Sequence, residues 1–444
     1  MPRAQGSQGF LGVAEQDHRA VPKDPSLYGD VVEISAKADK EKINIPIIRP
    51  GVYQQSAQEV DGKRSAGEGF KSVLHPSDWV FLWKHLLGDV TSTQQGGTAA
   101  YKHEITGIDT VYGDGLTLLK HLDQMTMHLF GMFANKATIE LEVGQPAFVT
   151  WEFVGKDGTK GTGTAGTSQG QSAISFPVTL VASTSDQISI SIDGGSAVEV
   201  TLTAGVYATG AALATMINEV IANPDNGYTG LLDSHRNPIV ACRVDSNDKL
   251  NFYSASKGTS SAVAWTAGTN DAGTLLGRGT PVEAVGNATA STPVYNSAVG
   301  PYIYHQGRVK FDDVETYVQK LSLSIDNGLT PIDVLGFDSN KDVIKVTRVV
   351  SGTISKWLEN ETIWDAFQNN SDIELKLELR SGVEADTGYN YDCDIIMKAI
   401  RYGNPEPGLA SKEPIMEEVP FTSYYYNATY KDFYISFINL LTSL

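Results

Sequence analysis

Apolar and polar residues alternate with a period of two along much of this chain. Thr138-Ile139-Glu140-Leu141-Glu142-Val143 puts Ile139, Leu141 and Val143 on one face and the glutamates on the other. After the turn Gly144-Gln145, residues Pro146 to Phe153 continue the pattern, so the two runs predict a hairpin. Lys320–Asp326 and Asp372–Leu379 alternate as cleanly. This pattern predicts strands with one buried and one wet face. The period lengthens at 77–87, where Trp79, Leu82, Trp83 and Leu86 fall at i, i+3, i+4 and i+7 on one helical face. Ser77 or Asp78 is placed to cap that helix, Pro76 to precede its first turn and Gly88 to end it. The two tryptophans read as core packing against a sheet, not as an aromatic cage.

Residues 66–88 and 350–370 repeat one arrangement. Each is a glycine-bearing alternating strand, a polar turn (75–78; 359–362) and a short aromatic helix, with Trp79 and Trp83 in the first and Trp364 and Phe367 in the second. A duplicated strand-and-helix unit predicts a building block, because enzymes carry their chemistry in singular sites.

The rest of the chain divides by composition. Residues 1–30 are polar and turn-rich, an arm that needs something to lie against. Lys42–Ile48 predicts an edge strand or a bulge, because Pro46 lacks an amide donor. Residues 53–69 read as a long polar loop, with Asp61-Gly62 as a possible hairpin tip. A Gly/Thr/Lys/Ser stretch at 155–170 and a second low-complexity stretch at 286–292 bracket a self-contained pattern. Inside it, Gln187–Ile192 turns into Ala197–Leu202, Ala211–Ala222 reads as a helix with Leu213, Ile217, Val220 and Ile221 on one stripe, and strands follow at 239–244 and 249–254. The expected plan is an arm at 1–30, a discontinuous β domain at 31–167 and 297–444, and an inserted β–β–α–β domain at 168–296.

Size and charge narrow the classes. The chain has 444 residues, 41% of them hydrophobic and 19% charged, with 43 glycines, which suits a mainly β protein with many turns. Its net charge of −18 is the wrong sign for a surface that grips nucleic acid by its phosphates. The two cysteines, Cys242 and Cys393, form no zinc spacing and no disulfide scaffold. The opening Met1-Pro2-Arg3-Ala4-Gln5-Gly6-Ser7 has no apolar signal core, and no stretch approaches the ~20 apolar residues of a membrane span, so the expectation is a chain made in the cytoplasm without membrane insertion.

Candidate chemistry adds little. Gly155–Gly161 lacks the glycine-lysine-serine/threonine ending of a phosphate loop. His121 and His128 are too widely spaced for a metal pair, and Asp312, Asp313 and Glu315 lack the calcium-loop glycine and final glutamate. No nucleophile motif is present. The expectation is a non-enzyme with no cofactor.

Taken in order, the chain resembles the major tail tube protein of long-tailed bacteriophages, siphovirus- or myovirus-like. The resemblance runs through Ala4–Gly9, 66–88, Phe130–Ile139 with Val149–Lys156, Val318–Gly328, 345–380 and Glu417–Phe421. It implies a β-sandwich or flattened barrel flanked by short helices, and homo-hexameric rings stacked into a tube. DNA would pass through the lumen without specific binding during genome ejection. Tape measure, terminator and baseplate or distal tail proteins would be its partners in the virion, with a sheath where the tail is contractile. The 168–296 segment is similar to modules inserted in flagellins and would point outward as decoration. Candidate lumen-facing residues are Glu140, Glu142, Ser322, Ser324, Asp326, Glu374 and Glu378. Candidate inter-subunit loop residues are Gln54, Glu59, Asp61, Lys63 and Arg64. A multi-domain β adhesin or carbohydrate-binding virion protein, with Tyr424-Tyr425-Tyr426 as a platform, and the tube of a contractile injection system are the alternatives.

Overall fold

A computed structural model describes residues 9–45, 58–123, 125–161, 163–234, 236–287, 293–295, 299–359, 361–408 and 415–444. Among the described residues half are in strands and 9% are helical, with three α-helices, so the chain is mainly β. The alternating runs build one large antiparallel sheet. Its spatial order is Lys37–Ile45, Gln58–Val73, Phe148–Gly155, Met125–Glu142, Lys320–Asp326, Val349–Trp357, Met416–Ser423 and then 400–402 with 406–408. Register carries one row straight across: Phe148, Glu140, Ser322, Thr353 and Pro420 lie opposite one another. The inward positions Val149, Trp151, Ile139, Leu321, Leu323, Ile354 and Val419 are all buried.

A second layer covers those positions. Gly9–Glu15, Leu116–Leu122 and the first half of 125–142 form one part of it. Gly307–Phe311, Ile373–Asp386, Tyr389–Tyr402, Tyr434–Asn439, Tyr101–Gly107 and Gly88–Gln94 form the other. One apolar cluster unites both layers, from Leu11 and Leu118 through Trp151 and Leu323 to Leu377, Ile395 and Phe437. Each fully buried Leu, Ile or Phe there contributes about 1.5–3 kcal/mol. Among the described residues no sheet closes on itself, and the two layers pack as a sandwich.

Helix α1 (Val80–Leu87) is not a flanking helix. Seven of its residues are buried, and Trp83 meets Trp151 at 4.8 Å and Phe433 at 6.3 Å between ring centroids. Neither Ser77 nor Asp78 caps it. Trp79 occupies the cap position at φ 58 with no side-chain cap, and the N–H groups of Ser77 and Asp78 donate to His75 Nδ1. The buried His75 ring thus fixes the turn before the helix, and the helix itself has no side-chain cap. Gly88 ends the helix at φ 104, where a Cβ would lie 2.4 Å from Ile108 Cδ1. Helix α3 (Thr362–Gln368) does flank the sandwich, since only Ile363 is buried and Trp364 is 47% exposed.

Two sequence expectations need correction. Residues 9–15 are not a free arm. They pair along their whole length with 116–122, and Leu11, Val13 and Ala14 are fully buried. Short apolar alternation inside a polar segment is enough to place a strand. Residues 58–69 are not a loop either; they belong to the 58–73 strand. Asp61-Gly62 is no hairpin tip but sits at a bulge between Lys40 and Lys42 of the partner strand. Polarity on both faces misled the reading, because this ribbon is wet on both sides. The residues that would join its two strands lie outside the described ones.

Residues 174–276 have an apolar cluster of their own, with Ile188, Ile190, Leu213, Ile217, Phe252 and Trp265. The hairpin Gln187–Ile192 with Val198–Thr201, the strands Val240–Val244 and Leu250–Ser254, and helix α2 (Gly210–Ala222) appear where expected. The limit at 167/168 falls inside the strand Thr167–Gln169, which pairs with 250–254 and Val282–Ala284. Thr164 and Asn287 hydrogen-bond each other there, at 3.1 and 2.9 Å. This part of the chain rests on residues 17–24. Tyr253 donates to Asp17, Asn218 to the Asp17 carbonyl, and Lys257 to Asp24.

Candidate functional site: a polar sheet face and a projecting ribbon

The outward face of the large sheet is assembled by alternation alone. Once Val149, Ile139 and Leu323 point into the core, Thr150, Thr138, Ser324 and Ser351 must point out, and register sets these four in one row. The next row is Phe148, Glu140, Ser322 and Thr353; beyond it lie Glu142, Lys320, Ser355 and Glu418. Hydroxyls dominate the middle, and Ser322, Ser324, Ser351, Thr353 and Thr422 line a shallow depression around Gly352. A Cβ at Gly352 would lie 2.4 Å from the Phe421 ring and 2.5 Å from the Ser322 carbonyl, so only glycine fits.

The charges on this face are matched in pairs. Lys71 binds Glu140 at 2.9 Å, Lys136 binds Glu152 at 3.2 Å and Lys320 approaches Glu142 at 3.4 Å. Glu418 and Asp326 add carboxylates, the latter accepting from the Gly328 N–H. From Lys71 to Glu418 five carboxylates stand against three lysines, and Arg401, opposite Thr422 in the last strand, is held by Asp372 at 2.7 Å. Among the predicted lumen residues, Glu140, Glu142, Ser322, Ser324 and Asp326 therefore share one continuous face.

Glu374 and Glu378 do not join them. Both belong to the second layer. Glu374 pairs with Lys398 at 2.5 Å. Glu378 is buried among Lys376 at 2.7 Å, Lys310 at 3.0 Å and Arg380 at 3.7 Å. Burial alone would raise its carboxyl, but hydrogen bonds from Lys376 and Lys310 outweigh that and hold it at about 2. Alternation marks Glu378 as a wet position, but three long cations cover its face of the strand. The sequence places Lys376 and Arg380 two residues either side of Glu378, but Lys310 lies 68 residues away and joins only through strand pairing.

The ribbon of 37–45 with 58–65 extends past Gly155, where the neighbouring strand ends. Of its predicted residues, Gln54 lies outside the described ones. Glu59 pairs with Lys42, and Asp61 with Lys40 and Lys42 across the ribbon. Lys63 reaches Asp333 at 2.6 Å, and Arg64 contacts Asp338 at 3.2 Å and Asp157 at 3.3 Å. These contacts tie the ribbon to the hairpin Leu329–Ile332 with Asp342–Lys345, which leaves the sheet at the same end. A two-stranded ribbon exposed on both faces is marginal in water without such support.

His121 and His128 share no site. His121 bonds Thr126 and stacks on Phe10, whereas His128 is fully buried. Cys242 and Cys393 are buried free thiols. Tyr424 lies under Arg401, with the ring 4.8 Å from the guanidinium, which accounts for one of the three terminal tyrosines by packing. No helix among the described residues is long and apolar enough to cross a membrane.

A comparison with curated proteins found no match. A family model described as phage tail tube protein matches residues 6–276 and, in a second match, 206–423. The two stretches together take in both strand–turn–helix units, the large sheet and the ribbon. This chain belongs to the phage tail tube protein family, whose members are structural proteins of the virion tail.

Proposed function

We propose that copies of this chain close into rings, that the rings stack into the tail tube, and that the large polar sheet lines the channel through which the genome leaves. The observation that carries this reading is the outward face itself. It offers hydroxyls and carboxylates, and each of Lys71, Lys136 and Lys320 already has a carboxylate partner. Binding to DNA scales with the cations free to neutralise phosphates. A face with none to spare lets a duplex slide.

Self-assembly follows from the same family. The ribbon and the 329–345 hairpin project from one end of the sheet, and we assign them to contacts with the next ring. Residues 165–286 have their own core and decorate the outer surface in this reading. The tail components that meet the tube's ends and interior are its remaining partners. An adhesin role finds no comparable support, since Tyr424 is engaged by Arg401.

Electron microscopy of the purified chain at high concentration tests the assembly, and dispersed monomers under all conditions would refute it. Ser324→Lys with Thr353→Lys tests the channel. Such tubes should form, but genome ejection should slow severalfold at low salt and recover as salt rises. Unchanged ejection at low salt would remove this face from the channel.

A further inference from the structure

Two stretches of the chain have the same connectivity. In the first, 9–15 pairs with 116–122, which pairs with the early part of 125–142, which in turn pairs with Asp157–Lys160. In the second, 307–311 pairs with 373–386, which pairs with 389–402, which in turn pairs with 434–439. The large sheet repeats in the same way. Its first half runs 37–45, 58–73, 148–155, 125–142 and its second half 320–326, 349–357, 416–423, 400–408. In chain order both halves read first, second, fourth, third. Helix α1 follows the second strand of one half and α3 the second strand of the other. Residues 9–160 and 307–439 are thus two copies of one unit. Each of the two family matches contains most or all of one copy. The 165–286 segment then lies between two units and interrupts neither, which revises the discontinuous domain expected from composition.

Within the large sheet the units join in one way. The third strand of the first, at 136–142, pairs antiparallel with the first strand of the second, at 320–326. The two outermost strands of the sheet are the remaining first strand, 37–45, and the remaining third strand, ending at 401–408. Among the described residues, 37–45 pairs only with 58–67, and 401–408 only with 416–422. Each presents an open edge, and open edges in native proteins are covered or paired. A third-strand-to-first-strand contact is head-to-tail, and repeated contacts of that kind close into a ring when the rotation closes.

We infer that the occupant of the 401–408 edge is the 37–45 strand of a second copy, joined as 320–326 joins 136–142, so that each chain fills two successive positions of the ring wall. This rests on the tube reading and changes its arithmetic. A ring holds half as many chains as wall positions. For the six-position wall that the family resemblance implies, that is three chains. The 165–286 segment occurs once per chain, so it projects from every second position.

Native mass spectrometry of rings and cryo-electron microscopy of tubes read this directly. The expected result is three chains per ring, a channel wall that approximates sixfold symmetry, three outer projections, and 37–45 seated against 401–408 of its neighbour. Six chains or six projections per ring would refute the inference and leave the tube reading intact. Three chains joined through other strands would refute the seam. A chain that stays monomeric would refute both.

Discussion

His128 should make the chain acid-sensitive. It sits on the 125–142 strand, is fully buried, and neither ring nitrogen has a hydrogen-bond partner. Desolvation, reinforced by the nearby Lys257 ammonium and only partly opposed by Asp24, lowers its pKa from 6.5 to about 4. The unfolded chain therefore takes up a proton on His128 before the folded one does. Stability is unaffected above pH 6.5, falls as the pH drops from 6.5 toward 4, and levels off below. At pH 5 the unfolded state gains about 2 kcal/mol from this single group, and the full loss by pH 4 is about 3 kcal/mol. Replacing His128 with Leu removes the titration at nearly constant volume. Urea unfolding of dispersed chains, followed by the fluorescence of the buried Trp83–Trp151 pair, gives the comparison. Wild type and variant should differ little at pH 7.5, and the variant should be about 2 kcal/mol the more stable at pH 5 once that difference is subtracted. Parallel pH profiles for the two proteins would refute the assignment.

Two further outcomes follow from the packing. Glu378→Gln leaves Lys310, Lys376 and Arg380 without their shared carboxylate and should cost about 1.5–3 kcal/mol, because the three cations keep contact with solvent, measured by denaturant unfolding at pH 7. Replacing residues 165–286 with a short Gly/Ser bridge should leave a soluble chain that still forms tubes of smaller outer diameter, because Thr164 and Asn287 already touch; an insoluble product would show that contacts at Asp17, Val21 and Asp24 hold the main core together.

The strands of the large sheet were readable because each carries its own instruction. Ile139, Leu141, Leu321 and Leu323 announce a buried face within a few residues, and the structure buries all four. Five of seven channel candidates share one face for the same reason. What local pattern could not supply was pairing. Nothing near Glu378 in sequence says that Lys310 crosses over it, and nothing in the polar run 58–65 says that Lys40 and Lys42 stand opposite. The cap of α1 was misread for a local reason: Trp79 takes the cap position at φ 58, and the N–H groups of Ser77 and Asp78 are used in the turn at His75. The duplication was visible in 66–88 and 350–370 as two short echoes. Its full extent depends on which strands become neighbours, and strands such as 9–15 and 307–311 share topology without a shared motif.

The two copies have also diverged in a way the fusion explains. The first unit carries an additional hairpin, 88–94 with 101–107, whose second strand pairs with 434–439 of the other unit. That hairpin stitches the second layer across the unit boundary and lies against α1, so Val80 to Leu87 becomes core and Trp83 can pack between Trp151 and Phe433. The second unit has no such hairpin between α3 and 373–386. Its helix stays at the surface, with Trp364 47% exposed and only Ile363 buried. Identical units in separate chains must meet every position of a ring with the same residues. Once two units share a chain, one helix is free to become a plug while the other keeps an aromatic face outward, and selection acts on each alone. The unequal burial of Trp83 and Trp364 is what a fused pair permits.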